Sequence, residues 1–420
     1  MNNLFSQVKN QDRELTIGSA EWRMLVLTAC LNPDEESLQE LKALLGEEVD
    51  WGKLIFQSSV HGTAGLLYQH LMKLSDEFEI PPGALEELRT AYFAIAASGL
   101  RLMGEFRKIA DALVAAGIET IPIKGAVLAE KIYGDLGFRP LSDIDLLVRE
   151  NDWPRVYEIL AESGYEFASR DLLKHFREIP AKLTRYDVQS HMQYESPVGT
   201  ALEFQFDLFT LGIGMYDMAG VWQRSSETEV GGVRVRTLGA EDELLLLAIH
   251  ANRHGCSRLK WLVDIVEILR QNRTINWDLL ITIARREHIL ANVYMTLSHI
   301  QRLFKLQLIE PAIMERMKPR TYKRMLWNAV WPRKELDLFQ GRNEDSICFY
   351  FYRPFSGWNL VNFAIMGRVR DKTAYQVRWL VPSLTWMSQT YKQPRSLGLL
   401  KYYPVRLLDR QTRRKNQASG

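Results

Sequence analysis

Cysteine is scarce. Cys30, Cys256 and Cys348 are the only three in 420 residues, an odd number at wide spacing. They make neither a disulfide framework nor the close pairs of a zinc or iron–sulfur site, so a reducing cytoplasm is the expected setting. Long apolar runs are missing too. None approaches the roughly 18 residues that a spanning helix requires, so no transmembrane segment is expected. The opening MNNLFSQVKN lacks the apolar stretch of a secretory leader. There are no internal repeats and no low-complexity linkers, which sets aside solenoids and flexible arrays. What remains is globular: 46% apolar and 25% charged residues are enough for two or three domains with ordinary cores.

Charge is balanced in total but segregated along the chain. From Phe363 to the end there are twelve Lys/Arg against Asp371 and Asp409, a net of +10, so the rest sums to −8 within a whole-chain charge of +2. A basic tail of this kind suits a solvated face, a nucleic acid, a phosphorylated acceptor or peripheral contact with an anionic membrane.

Hydrophobic periodicity divides the chain into four. Residues 1–117 read as helical; Leu102, Phe106, Ile109 and Leu113 recur at helical spacing and Gly117 stands where the helix would stop. Residues 118–238 alternate short β-like and helical pieces. TIPIKG is strand-like, AVLAEKIYG is a helix ending at Gly134, DIDLLV is a strand, and NDWPRVYEILAESG is a helix with an Asn or Asp cap and Gly164 as its stop. Further β-like segments are LTRYDV, HMQYES, ALEFQFDLF and GGVRVRTLG. Residues 239–330 return to helices, among them SRLKWLVDIVEILRQ with Ser257 as its expected N-cap. Residues 331–420 form a basic, Trp- and Tyr-rich region with no motif.

One stretch conflicts with its surroundings. RPLSDIDLLV puts Asp143 and Asp145 into a hydrophobic strand, where aspartate is disfavoured and unpaired charge is costly. Alternation sends Ile144, Leu146 and Val148 to one face and both carboxylates to the other, roughly 7 Å apart. The two repel unless something positive joins them, and a divalent cation with carboxylate and phosphate ligands does so. About twenty residues upstream, IPIKGAVLAEKIYG runs a strand through Lys124 and Gly125 into a helix. Such a turn lets backbone and ammonium approach an anion. A third carboxylate is offered by ALEFQFDLF, in which Glu203, Gln205 and Asp207 share a face; Glu203 is the first choice and Asp207 its competitor.

These elements resemble the polymerase-β-like nucleotidyltransferases, and more narrowly a bacterial group of nucleotidyltransferase family proteins. The resemblance rests on Lys124-Gly125, Leu128, Tyr133, Arg139-Pro140, Asp143, Asp145, Glu203, His250, His254, Arg258, Trp261 and Asp264, in that order, over about residues 50–310. It implies an α+β fold, a small mixed sheet with helices embedded in N- and C-terminal helical regions. It also implies transfer of a nucleoside monophosphate from a nucleoside triphosphate, with Asp143, Asp145 and Glu203 holding Mg²⁺ (or Mn²⁺). Lys124, Gly125, Arg139, Ser142, His250, His254 and Arg258 would then contact phosphate or acceptor, although Arg139 could equally pair with an acid on the surface. The acceptor class it suggests is a saccharide, a lipid-linked sugar or a peptide, in exopolysaccharide or peptide-tailoring chemistry. Two features depart from the pattern: the superfamily's Gly-Gly or Gly-Ser turn is Lys-Gly here, and the group's frequent histidine on the third strand is Gln205.

Two other functions fit parts of the same sequence. A glycosyltransferase also uses D-x-D, but its aspartates usually follow an α/β half of about a hundred residues, and here the preceding residues are helical. A catalytically inactive nucleotide- or RNA-binding module would have no reason to keep three mutually repelling acids.

Overall fold

Local signals set the N-terminal helices. In the computed structural model, which describes residues 19–167, 191–197, 199–208, 216–271 and 274–325, five helices come first: α1 (Ala20–Leu27), α2 (Glu35–Leu45), α3 (Trp51–His61), α4 (Ala64–Leu74) and α5 (Pro82–Ala115). Ser19, Asp34 and Asp50 cap the first three by accepting hydrogen bonds from main-chain amides of the first turn. α5 starts with Pro82 and buries Leu88, Leu102, Phe106, Ile109 and Leu113 along one side.

After α5 the chain enters a five-stranded mixed sheet, β1 (Thr120–Ile123), β2 (Asp143–Val148), β3 (Glu166–Phe167), β4 (His191–Glu195) and β5 (Ala201–Gln205), in the order β1-β2-β5-β4-β3. The central β2–β5 pair is parallel and the other neighbours are antiparallel. β1 is an edge strand, where Pro122 is tolerated because no ladder bond is required of it. Between β1 and β2 lies α6 (Gly125–Leu128), a single α-turn that widens into a π-turn over Ala129–Tyr133 and stops at left-handed Gly134. The helix expected at AVLAEKIYG is therefore present but distorted, a feature often found beside functional sites. α7 (Trp153–Glu162) follows β2 behind a 3-10 turn at Glu150–Asp152; Asp152 occupies its cap position without making a side-chain cap bond.

Then come α8 (Met218–Arg224) and a hairpin of β6 (Ser226–Val230) and β7 (Val233–Thr237). Its two-residue turn is Gly231-Gly232, both at positive φ as such a turn requires. The remaining helices among the described residues are α9 (Ala240–Arg253), α10 (Leu259–Arg270), α11 (Trp277–Arg286), α12 (Leu290–Leu303) and α13 (Pro311–Met317). The protein is α+β, with a small mixed sheet among helices. LTRYDV and the whole of 331–420, with its basic run, lie outside the described residues.

The sheet separates two cores. Ile144, Leu146 and Val148 face a cluster with α5, α7, Phe204 and the hairpin. Ile121, Ile123 and Leu147 face a larger one, shared by the helices before the sheet and those after it. α10 ties that second core together with polar bonds. Its Glu267 accepts from the Leu31 amide at 2.9 Å, its Arg270 donates to the Asn32 carbonyl at 2.7 Å, and Gln271 just beyond it donates to the Ile132 carbonyl at 2.7 Å. Ser257 does not cap α10. Arg258 holds the cap position without making a side-chain cap bond, and the Leu259 amide donates to Nδ1 of buried His61, 198 residues away, at 3.3 Å.

Candidate active site

Register brings the acids together. Asp145 on β2 stands directly opposite Glu203 on the parallel β5 and opposite Ile123 at the end of β1. Paired residues share a face, so Asp143, Asp145 and Glu203 lie on the side of the sheet that meets the helical core. Asp143 is half-buried, and Ser142 Oγ donates to its Oδ1 at 2.9 Å. Asp145 is 5% exposed. β5 ends at Gln205, so Asp207 lies past the strand; the acids that act on Asp145 are Asp143 and Glu203.

Lys124 occupies a strained position at the end of β1, with φ 55° and ψ −116°. This conformation costs a residue with a side chain about 1–3 kcal/mol, and such strain gathers at functional turns. It lets the ammonium turn back to Asp145 Oδ1 at 3.0 Å. Gln205 Nε2 donates to the same oxygen at 2.8 Å, while Oδ2 makes no hydrogen bond among the described residues. Burial pushes the Asp145 carboxyl up to about 7; Lys124 opposes that shift, and Asp143 and Glu203 add to it. Asp145 thus meets one ammonium and the charge of two further acids. Among the described residues no three His, Cys, Asp or Glu side chains are gathered closely enough to enclose an ion. The positive charge at Asp145 is supplied by lysine in this structure. The donor set nonetheless suits a hard divalent cation, since it offers carboxylate oxygens only.

Gly125 begins the turn in a closely packed place. A Cβ there would lie 3.3 Å from Leu141 Cδ2, 3.5 Å from Arg139 Nη1 and 3.7 Å from the Asp143 carbonyl. Arg139 itself corrects the expectation of either a phosphate contact or a surface pair. It is buried, and its Nε and Nη2 both donate to Asp264 on α10 at 2.8 Å. Tyr133 Oη adds a third bond to the same carboxylate at 2.9 Å. Burial alone would favour loss of the Arg139 proton, but Asp264 outweighs it and holds the guanidinium charged. The arginine thus acts from behind, locking the π-turn and the Gly125 turn to α10.

His250 and His254 meet at the end of α9, with ring centroids 4.7 Å apart. Both rings pack on Trp261, at 5.3 and 4.8 Å, and the Arg258 guanidinium lies 5.8 Å from the centre of that indole. The break between α9 and α10 therefore gathers His250, His254 and Arg258 at one corner. Lys260 joins this corner to the acids electrostatically, since both Arg258 and Asp143 act on it. Lys260 and His61 were not singled out from the sequence. Lys260, Asp264 and Glu267 recur at spacings of four and three, the one sign of a polar stripe on α10, but such a stripe reads equally well as a solvated face.

The family model described as "Uncharacterised nucleotidyltransferase" matches residues 47–305. No curated protein matches the chain. A solved structure, the "antigenic nucleotidyltransferase-like protein from Paracoccidioides brasiliensis", is similar at 16% identity over 51% of this chain and 96% of that chain. Its TM-score of 0.27 is too low for any argument about the site.

Proposed function

The chain belongs to the uncharacterised nucleotidyltransferase family, and from that premise we propose that it moves a nucleoside monophosphate from a nucleoside triphosphate to a hydroxyl or phosphate of an acceptor. The observation that carries this reading is the excess of acid at Asp145: a buried carboxylate, register-paired with Glu203, flanked by Asp143 and only partly balanced by Lys124. Asp143, Asp145 and Glu203 would hold Mg²⁺ or Mn²⁺. When bound, such an ion neutralises charge on the reacting phosphate and lowers the pKa of an attacking hydroxyl.

The remaining work falls to the chain's own groups. The strained turn would present Lys124 to the phosphates of a bound nucleotide. Gln205 keeps Asp145 Oδ1 oriented, and Ser142 does the same for Asp143. In the reaction an acceptor oxygen bonds to the α-phosphorus as the bond to the bridging oxygen breaks. Pyrophosphate leaves with that electron pair, and a hydroxyl acceptor gives its proton to the carboxylate cluster. Saccharide, lipid-linked or peptide acceptors all carry such an oxygen.

The test is a set of four labelled nucleoside triphosphates incubated with purified protein, cell extract and Mg²⁺. Label should transfer to an acceptor with release of pyrophosphate, and Asp145→Asn should reduce transfer by about a thousandfold, or roughly 4 kcal/mol of transition-state stabilisation. Undiminished transfer by that variant would refute the reading. Release of a nucleoside diphosphate from a sugar nucleotide would move the chain to the glycosyltransferases.

A further inference from the structure

Lys260 lies in the first turn of α10, two residues after Arg258 and four before Asp264. Its stem runs through a narrow slot. A Cβ added to Gly62 would come within 2.8 Å of Lys260 Cδ, 3.4 Å of its Cβ and 3.2 Å of Pro140 Cγ. Gly62, Pro140 and the lysine stem thus pack against one another, where the α3–α4 junction meets the segment leading to the aspartates. The lysine is half-buried there.

Its surroundings are charged on several sides. Burial, then Arg139 and Arg258, pull the ammonium down to about 8, while Asp264 and Asp143 act in the opposite direction. Other cations nearby are engaged: Lys124 with Asp145, Arg139 with Asp264, and Arg258 against Trp261. Lys260 alone of this group makes no hydrogen bond or ion pair among the described residues. A partly desolvated ammonium beside two guanidinium groups gains from a further anion, beyond what Asp264 and Asp143 supply. It stands within the electrostatic reach of Asp143, the first of the acids on β2. A lysine in this position contributes a point charge with rotatable donors, which suits a phosphate.

We propose that Lys260 forms a phosphate-binding site on the helical side of the acids. The assignment rests on the nucleotidyl-transfer reading for its place in a reaction, but the binding site stands on its own geometry. The phosphate can belong to the leaving pyrophosphate of the donor or to a phosphorylated acceptor; the chemistry is the same, and the two sources are separable.

The experiment is calorimetric titration of the full chain with inorganic pyrophosphate, with Mg²⁺ and separately in EDTA. Lys260→Gln should weaken binding by about tenfold in both conditions, as for the loss of one charge-assisted contact, while Lys260→Arg should stay within about threefold of wild type. Asp145→Asn should affect only the Mg²⁺-dependent part. A Lys260→Gln protein that binds as wild type, or a wild type that binds no pyrophosphate in either condition, would overturn the assignment. Repeating the titration with a saturating mixture of α,β-methylene nucleoside triphosphates identifies the source. Displacement assigns the site to the donor, and binding that persists assigns it to the acceptor. If Mg²⁺-dependent nucleotide binding is missing but Lys260-dependent pyrophosphate binding in EDTA remains, transfer fails as a function while the phosphate site holds.

Discussion

Two buried aspartates, Asp264 and Asp145, answer the same problem in opposite ways. Asp264 is fully satisfied: Arg139 supplies two bonds from a rigid fork and Tyr133 a third, so both oxygens are used. Asp145 is left in surplus. Both of its bonds fall on Oδ1, two other acids press on it, and a single lysine on a strained turn offsets them. The first arrangement is stable by itself and joins α10 to the turn that precedes the acids. The second leaves Asp145 Oδ2 without a hydrogen bond among the described residues.

The comparison can be broken first at its closed half. Arg139→Ala leaves Asp264 buried with Tyr133 but without its paired charge, which should cost about 3–5 kcal/mol. Urea unfolding should show most of a typical domain's stability gone; a loss below about 1 kcal/mol would mean that the pair holds little. A smaller effect follows from His61, whose Nδ1 accepts the Leu259 amide and must therefore be unprotonated there. Burial, with Arg258, lowers its pKa to about 3. Because the unfolded chain binds the proton more readily, this contribution is complete above about pH 6.5 and is lost as pH falls toward 3. Between pH 7 and 5 the loss should be on the order of 1–2 kcal/mol, and His61→Gln should flatten that slope in urea titrations. The smallest effect belongs to the open half. Asp145→Asn removes the surplus charge but keeps the shape, so stability should hold or rise by up to roughly 1 kcal/mol at pH 7. A clear fall in its unfolding midpoint would show Asp145 to be structural.

The two halves also differ in how far they were legible. The strand face of Asp143 and Asp145 follows from the alternation of DIDLLV, because a period of two leaves one choice once Ile144 and Leu146 must be buried. The Lys124-Gly125 turn is similarly local. Arg139 and Asp264 are 125 residues apart, and an arginine reads the same whether it enters the core or stays in water. His61 as the cap of α10 was hidden for the same reason, and Ser257 was the locally plausible substitute. β6 went unread because SETEV is mostly solvent-facing and has only Val230 fully buried, so it lacks the apolar alternation that marks a strand. Local patterns thus exposed the open acids, and long-range pairing concealed the closed one.

The most direct measurement is Mn²⁺ binding by electron paramagnetic resonance in the presence of a non-hydrolysable nucleoside triphosphate. If Asp145 is held open for a cation, the wild type should bind the ion and Asp145→Asn should bind it at least about tenfold more weakly, without loss of folded stability. Lys124→Met should bind Mn²⁺ alone more tightly than the wild type, since the competing ammonium is gone. Equal Mn²⁺ affinity in wild type and Asp145→Asn would contradict the account.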